Sequence, residues 1–215
     1  MSHDKEVEVT TAKCERTAPA VRLGQVSVVV PTFNSARWIH RFVANTARPT
    51  AGAVIVVVDD NSRDGTHDRL RQLETSHPQL RVIQNEHNLG QLQATLAGCA
   101  TVETEWILTI DDDWDLTSEV VNRILAKASD SDIVYCQIHG HSVFGVRGLS
   151  YLARRAGPLF GVPRHVCDAS STRLFRRALI DAESAVPLDV QLAASPGRVT
   201  HCALSLTPLD GTRTR

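Results

Sequence analysis

The chain has 215 residues, with 23 Lys and Arg against 24 Asp and Glu, so its formal charge at neutral pH is −1. That length suits one domain with a substantial core and is short for two. The near balance of dispersed charges offers no basic face for nucleic acid, and no apolar run reaches the roughly 18–20 residues that span a bilayer.

Residues 1–24 are mostly polar and lack the apolar stretch of a signal peptide, so they read as a mobile N-terminal arm ahead of a single domain over 25–215. Val26 to Val30 is a β-branched run closed by Pro31, and Ala53 to Val58 is a second, closed by Asp59-Asp60. Both predict buried strands. Between them Trp38, Ile39, Phe42 and Val43 recur at helical spacing, with Asn34-Ser35 as the expected N-cap. The pattern then repeats: a helix over Thr66 to Glu74, a strand over Leu80 to Ile83, and a helix whose buried face is expected to carry Leu89, Leu92 and Leu96. A strand over 106–110, a helix over Ser118 to Lys127 and a strand over Ile133 to Cys136 follow. Beyond them the spacing predicts a basic helix over Arg147 to Ala156, a loop over Gly157 to His165, a strand over Ser171 to Phe175 and a helix over Arg176 to Ala182. Alternation of strand and helix predicts an α/β fold with a mostly parallel central sheet, flanked by helices and joined by right-handed crossovers.

In such sheets ligands bind beyond the carboxyl ends of the strands, and two acidic clusters fall there. The first, Asp59-Asp60-Asn61-Ser62-Arg63-Asp64-Gly65-Thr66, offers carboxylates that could accept from a nucleobase N–H or cap loop amides. The second, Asp111-Asp112-Asp113-Trp114-Asp115, ends an apolar run with four carboxylates in five positions. Side chains alternate along extended backbone, so Asp111 and Asp113 share a face that Asp112 does not. Converging carboxylates either rise in pKa or take up a cation, and an all-oxygen set favours Mg2+ or Mn2+. A solvated helix N-terminus is the other use of such a cluster. His139 and His141 form an H-x-H without an assignable third ligand. The five cysteines, Cys14, Cys99, Cys136, Cys167 and Cys202, are widely spaced, as buried or free thiols of a reducing cytoplasm would be.

Four segments in order, Val28 to Asn34 (VVVPTFN), Val56 to Thr66 (VVVDDNSRDGT), Asn85 to Gly90 (NEHNLG) and the D-x-D of Asp111 to Asp113, make the chain similar to family 2 glycosyltransferases of the GT-A, Rossmann-like fold. Within that family it most resembles the polyprenyl-phosphate sugar transferases, such as dolichyl-phosphate mannose synthase. Their D-x-D-L-Q-x-x-P-E is matched in register by residues 111–119, with Asp115 at the usual Gln. Arg147 to Ser150 and Asp168 to Arg177 resemble two further elements, and 188–192 and 210–213 the last ones more weakly. Phe33 stands for a usual Tyr, Ser35 for a frequent Glu and Thr172 for a common aromatic.

The resemblance implies an inverting, metal-dependent transfer from a nucleotide-diphosphate sugar, with a nucleotide-sugar-binding half over 25–136 and an acceptor-binding half over 137–215. Pro31 and Phe33 would line the base pocket and Asp60 accept from the base. Asp111 and Asp112 would face the donor, and Asp111, Asp113 and Asp115 would hold Mg2+ or Mn2+. Arg147 and Arg173 would join Asp111 and Asp113 in catalysis by clamping an acceptor phosphate, since a guanidinium fork suits one; Asp168 and Asp189 are the carboxylates that could instead serve as a base. The expected acceptor is a polyprenyl phosphate, met by a cytoplasmic protein at the inner face of the membrane. The alternatives are a soluble family 2 enzyme acting on a small molecule or glycan, and a non-catalytic domain that binds a nucleotide sugar. A nucleotidyltransferase is disfavoured, because the first strand is not followed by a glycine-rich phosphate loop.

Overall fold

A computed structural model describes residues 21–138 and 172–209. β1 (Val26–Thr32), α1 (Ile39–Ala47), β2 (Val54–Asp59), α2 (Thr66–Ser76), β3 (Leu80–Gln84), α3 (Gln91–Ala100) and β4 (Trp106–Thr109) form the alternating first half. They are followed by β5 (Trp114–Asp115), α4 (Ser118–Lys127), β6 (Ile133–Ile138), β7 (Arg173–Arg176), α5 (Leu188–Ala194), β8 (Val199–Leu204) and β9 (Thr207–Pro208). Seven strands make one sheet in the order β3-β2-β1-β4-β7-β6-β8, and β5 pairs with β9 in a small second sheet. Only β7 runs against its neighbours in the large sheet.

Alternation along β1 and β4 divides the core between two layers of helices. Val28, Val30 and Leu108 pack with Ile39, Phe42, Leu70, Val121 and Ile124 of α1, α2 and α4. Val29 and Ile107 pack on the other face with Ala94, Leu96 and Cys99 of α3 and Leu188 and Leu192 of α5. Every residue of β1 is buried, as expected of a strand covered on both faces. Val21 and Leu23, assigned by sequence to the N-terminal arm, already pack against this core.

The strand β1 continues through Pro31, which pairs in register with Val58 and is buried in the sheet. Its missing N–H is tolerated because the ladder on the β4 side has ended at Val29 and Thr109. Asn34-Ser35 does not cap α1, which starts only at Ile39; Ser35 instead gives its carbonyl to the amides of Trp38 and Ile39. The buried face of α3 is also not the predicted leucine stripe. Leu89 precedes the helix and is exposed, as is Leu92, while Ala94, Thr95, Leu96, Gly98 and Cys99 face the sheet. Gly98 sets that rotation: a Cβ there would stand 2.5 Å from Val29 Cγ1 and 2.9 Å from Val58 Cγ2, so only glycine lets α3 lie this close.

The helix expected over Arg176 to Ala182 is a single 3-10 turn, Arg177–Leu179. β7 runs on through Arg176, whose N donates to Asp132 O while Arg177 N donates to Glu105 O, and the chain is extended again at Ile180, which leaves room for one turn only. The Arg176 guanidinium also lies 4.4 Å from the centre of the Trp106 ring and pairs with Asp132 and Glu105. Arg147, Asp168, the H-x-H histidines, Cys14, Cys167, the expected basic helix and 210–213 lie outside the described residues.

Candidate active site

Both acidic clusters lie at the carboxyl ends of parallel strands, β2 and β4, on either side of β1. At the end of β2 the two aspartates are engaged by loop amides and amide side chains. Asp59 Oδ1 accepts from Ser62 N at 3.1 Å, and its Oδ2 accepts from Gln84 Nε2 at 3.3 Å and lies 3.4 Å from His67 Nδ1. Asp60 accepts from Asn85 Nδ2 at 2.7 Å, Leu89 N at 2.9 Å and Gly90 N at 2.7 Å, while its own N–H donates to Thr32 O. A carboxylate has about four acceptor positions, so three donors leave Asp60 little capacity for a direct ligand contact. The NEHNLG loop is thus hung from Asp60.

Two asparagines in the left-handed region, Asn34 at φ 53° and Asn61 at φ 63°, shape the adjoining turns, a conformation their short polar side chains tolerate. Asn34 N donates to Ser62 Oγ at 2.8 Å and Arg63 N to Asn34 Oδ1 at 3.0 Å, which joins the loops after β1 and β2. Phe33, on the first of these loops, is 47% exposed beside them, whereas Pro31 is buried near the end of β1.

The D-x-D turn after β4 splits its carboxylates by direction. Asp111 accepts from Gln91 Nε2 at the start of α3. Asp112 turns into the protein, where the hydroxyls of Thr32 and Ser35 both donate to its Oδ2. Burial pushes the Asp112 carboxyl up to about 6; the Ser35 and Thr32 hydroxyls pull it back, and the charges of Asp113 and Asp111 add to the rise. Asp113 is buried and its carbonyl accepts from Leu209 N at 2.8 Å, beside the β5–β9 pair. Asp115 lies within that pair and accepts from Asn45 Nδ2 of α1 at 3.0 Å.

On the other side of β4, the register sets Arg173 opposite Thr109, two residues before Asp111. Arg173 is buried, and its Nη1 forms an ion pair with Asp189 in the first turn of α5. The sequence singled out both residues for competing roles, phosphate clamp and base; the fold joins them. Gln91, Thr32, Ser35 and Asn85 are site residues that sequence reasoning did not single out. Ser35, at a position where the resemblance led one to expect Glu, and Thr32 and Asn85, each inside a quoted motif, left a trace; Gln91 left none.

Among the described residues no group of three or more His, Cys, Asp and Glu converges on a metal position. The chemistry of Asp111 and Asp113 still fits Mg2+ or Mn2+, which bind through one or two carboxylates and complete their shell with substrate phosphates and water. Cys99, Cys136 and Cys202 are buried thiols, and burial pushes all three up, Cys99 to about 12, so none is a poised nucleophile.

Residues 27–181 match the family described as Glycosyl transferase family 2. A dolichyl-phosphate beta-glucosyltransferase of Trichomonas vaginalis, ALG5C, is 31% identical over 94 residues, covering 40% of this chain and 28% of that protein. The chain spans less than half the length of the curated relatives it matches. In three dimensions it is similar to Staphylococcus aureus TarS 1-349 in complex with UDP-GlcNAc, with TM-score 0.60, 22% identity and coverage of 84% and 57% of the two chains. Glucosyl-3-phosphoglycerate synthase of Mycobacterium tuberculosis, in complex with Mn2+, UDP and phosphoglyceric acid, superposes with TM-score 0.63 at 16% identity, covering 85% and 70%.

Proposed function

Since the chain belongs to glycosyl transferase family 2, we propose that it transfers a sugar, with inversion, from a nucleotide-diphosphate sugar to an acceptor hydroxyl. The observation that carries this reading is the alignment of the loops after β1 and β2, the D-x-D turn and the Arg173–Asp189 pair along one end of the sheet. Residues 25–136 would hold the donor and 137–215 the acceptor. Phe33 offers an exposed ring to a nucleobase. Asp60 serves the base by hanging the NEHNLG loop rather than by contact. Asp111 faces the donor, and Asp111 with Asp113 would hold Mg2+ or Mn2+, whose charge would offset that of the leaving diphosphate. Asp115 accepts from Asn45 at one oxygen, as Asp111 does from Gln91, and would supply a further oxygen ligand.

Asp189 is the general base of this reading, taking the acceptor proton as its oxygen attacks the anomeric carbon and the nucleoside diphosphate departs. Arg173 orients that carboxylate through their ion pair. Because the Arg173 charge is already matched by Asp189, it is not spare for an acceptor phosphate, and this favours a hydroxyl acceptor. The polyprenyl-phosphate reading draws support from the likeness to the Trichomonas protein, and it needs Arg147 to act without Arg173. No helix of the described residues is long and apolar enough to cross a membrane.

The test offers UDP-glucose, UDP-GlcNAc and GDP-mannose with Mn2+ to the protein, beside three acceptors: a short polyprenyl phosphate, the matching polyprenol and 3-phosphoglycerate. Transfer to a hydroxyl that is lost in Asp189→Asn, with nucleoside diphosphate binding retained, is the expected result. Transfer to the polyprenyl phosphate alone, undiminished in Asp189→Asn, would return the assignment to a phosphate acceptor.

A further inference from the structure

We infer that Asp112, the middle carboxylate of the D-x-D, is a positioning residue that locks the turn bearing Asp111 and Asp113 to the nucleotide-side loop after β1. The inference rests on the donor and metal roles proposed above for those two neighbours. Asp112 is buried, with the Thr32 and Ser35 hydroxyls donating to one oxygen. Thr32 is the last residue of β1, and its carbonyl accepts from Asp60 N at 2.9 Å. Ser35 N donates to Thr66 Oγ1 at 2.8 Å, and the Thr66 hydroxyl donates to Asp64 Oδ1 at 2.5 Å. The other Asp64 oxygen accepts from Ala36 N at 3.0 Å.

One continuous run of hydrogen bonds therefore leads from the first turn of α2, through the loop after β1, into the D-x-D turn. A buried carboxylate is costly unless its partners are in place, so Asp112 fixes the turn in one setting. Its neighbours Asp111 and Asp113 repel each other and would otherwise spread. The tie holds them together before any cation arrives, which lowers the cost of assembling the donor diphosphate and its metal. Asp112 touches neither ligand; it acts through its two neighbours.

The experiment measures UDP and GDP binding by calorimetry, in EDTA and across a Mn2+ titration, for wild type, Ser35→Ala, Thr32→Val, Asp112→Asn and the Ser35→Ala/Asp112→Asn double variant. Ser35→Ala and Asp112→Asn should each raise the Mn2+ concentration for half-maximal nucleotide binding about 5–10-fold, the scale of one lost hydrogen bond. Affinity in EDTA should stay within about twofold, and the double variant should be no worse than Asp112→Asn, because both act through one contact. Ser35→Thr, which keeps the hydroxyl, should restore the Mn2+ response. If Asp112→Asn does not fold, Ser35→Ala and Thr32→Val carry the same comparison. Additive losses, or an equal loss in EDTA, would overturn the positioning role while leaving the proposed donor site standing. A wild type that binds neither nucleotide, or binds them indifferently to Mn2+, would overturn that site and the inference with it.

Discussion

Replacing Asp60 by alanine separates two ways in which a strand-end carboxylate can serve a nucleotide. The side chain accepts three hydrogen bonds, from Asn85 Nδ2 and from the amides of Leu89 and Gly90. A hydrogen bond to a charged group contributes about 1.5–3 kcal/mol, but Leu89 and Gly90 are exposed, so water recovers part of what those amides lose. The expected net destabilisation is therefore about 2–4 kcal/mol rather than three full bonds, and Asn85→Ala, which removes one donor, should cost about 1 kcal/mol. Urea unfolding followed by tryptophan fluorescence measures both, and calorimetry with UDP and GDP measures binding on the same variants. If Asp60 works by hanging the loop, Asn85→Ala weakens nucleotide binding part of the way, although it adds no charge and removes none. A stability loss under about 0.5 kcal/mol for Asp60→Ala, together with lost nucleotide binding and an unaffected Asn85→Ala, would refute loop support and restore a direct contact with the base.

Two further outcomes follow from the core and from the edge of the sheet. Gly98→Ala places a methyl 2.5 Å from Val29 Cγ1, so an overpacking cost of about 1–3 kcal/mol should outweigh the helix-propensity gain of about 1 kcal/mol; a midpoint in urea that rises instead would show that α3 can shift outward freely. The backbone N–H of Arg198 holds the Asp132 carboxyl below its ordinary range, against a smaller rise from burial and with help from the Arg176 and Arg198 side chains. Its folded value lies below its unfolded one, so the stability it gives is present above about pH 4 and is lost as pH falls through the folded value. Asp132→Asn should then cost about 1.5–3 kcal/mol at pH 6 and progressively less below pH 4 in denaturant titrations; a deficit that does not vary with pH would count against the charged hydrogen bonds.

The first half of the fold was legible because three of its strands, β1, β2 and β4, are buried on both faces. A strand covered by helices above and below needs an unbroken apolar run, and Val26 to Val30, Ala53 to Val58 and Trp106 to Ile110 supply one each. Where sequence reading failed, a distant partner decided the outcome. Three leucines at helical spacing suggested one face of α3, but the packing distance to Val29 and Val58 was set by Gly98, a residue that carries no hydrophobic signal. Periodicity after Phe175 favoured a helix, yet the strand β7 runs on through Arg176, held there by the carbonyl of Asp132 some 44 residues earlier, with Arg177 N bonded to Glu105 some 72 residues earlier.

The carboxylate clusters were equally visible, but what each aspartate does is fixed by donors that local pattern cannot supply. Asp60 meets partners 25 to 30 residues downstream, and Asp112 meets hydroxyls 77 and 80 residues upstream. Ser35 shows how such a pairing constrains the motif itself. A glutamate at that position would set a second carboxylate beside Asp112, where burial magnifies like-charge repulsion. A serine hydroxyl donates there instead, so the serine at position 35 and an aspartate in the middle of the D-x-D form one compatible pair. Departure from a family pattern at one position is then intelligible only together with the residue it faces, and the same holds for Arg173, a clamp by sequence reading and, in the function proposed above, a support for the Asp189 it pairs with.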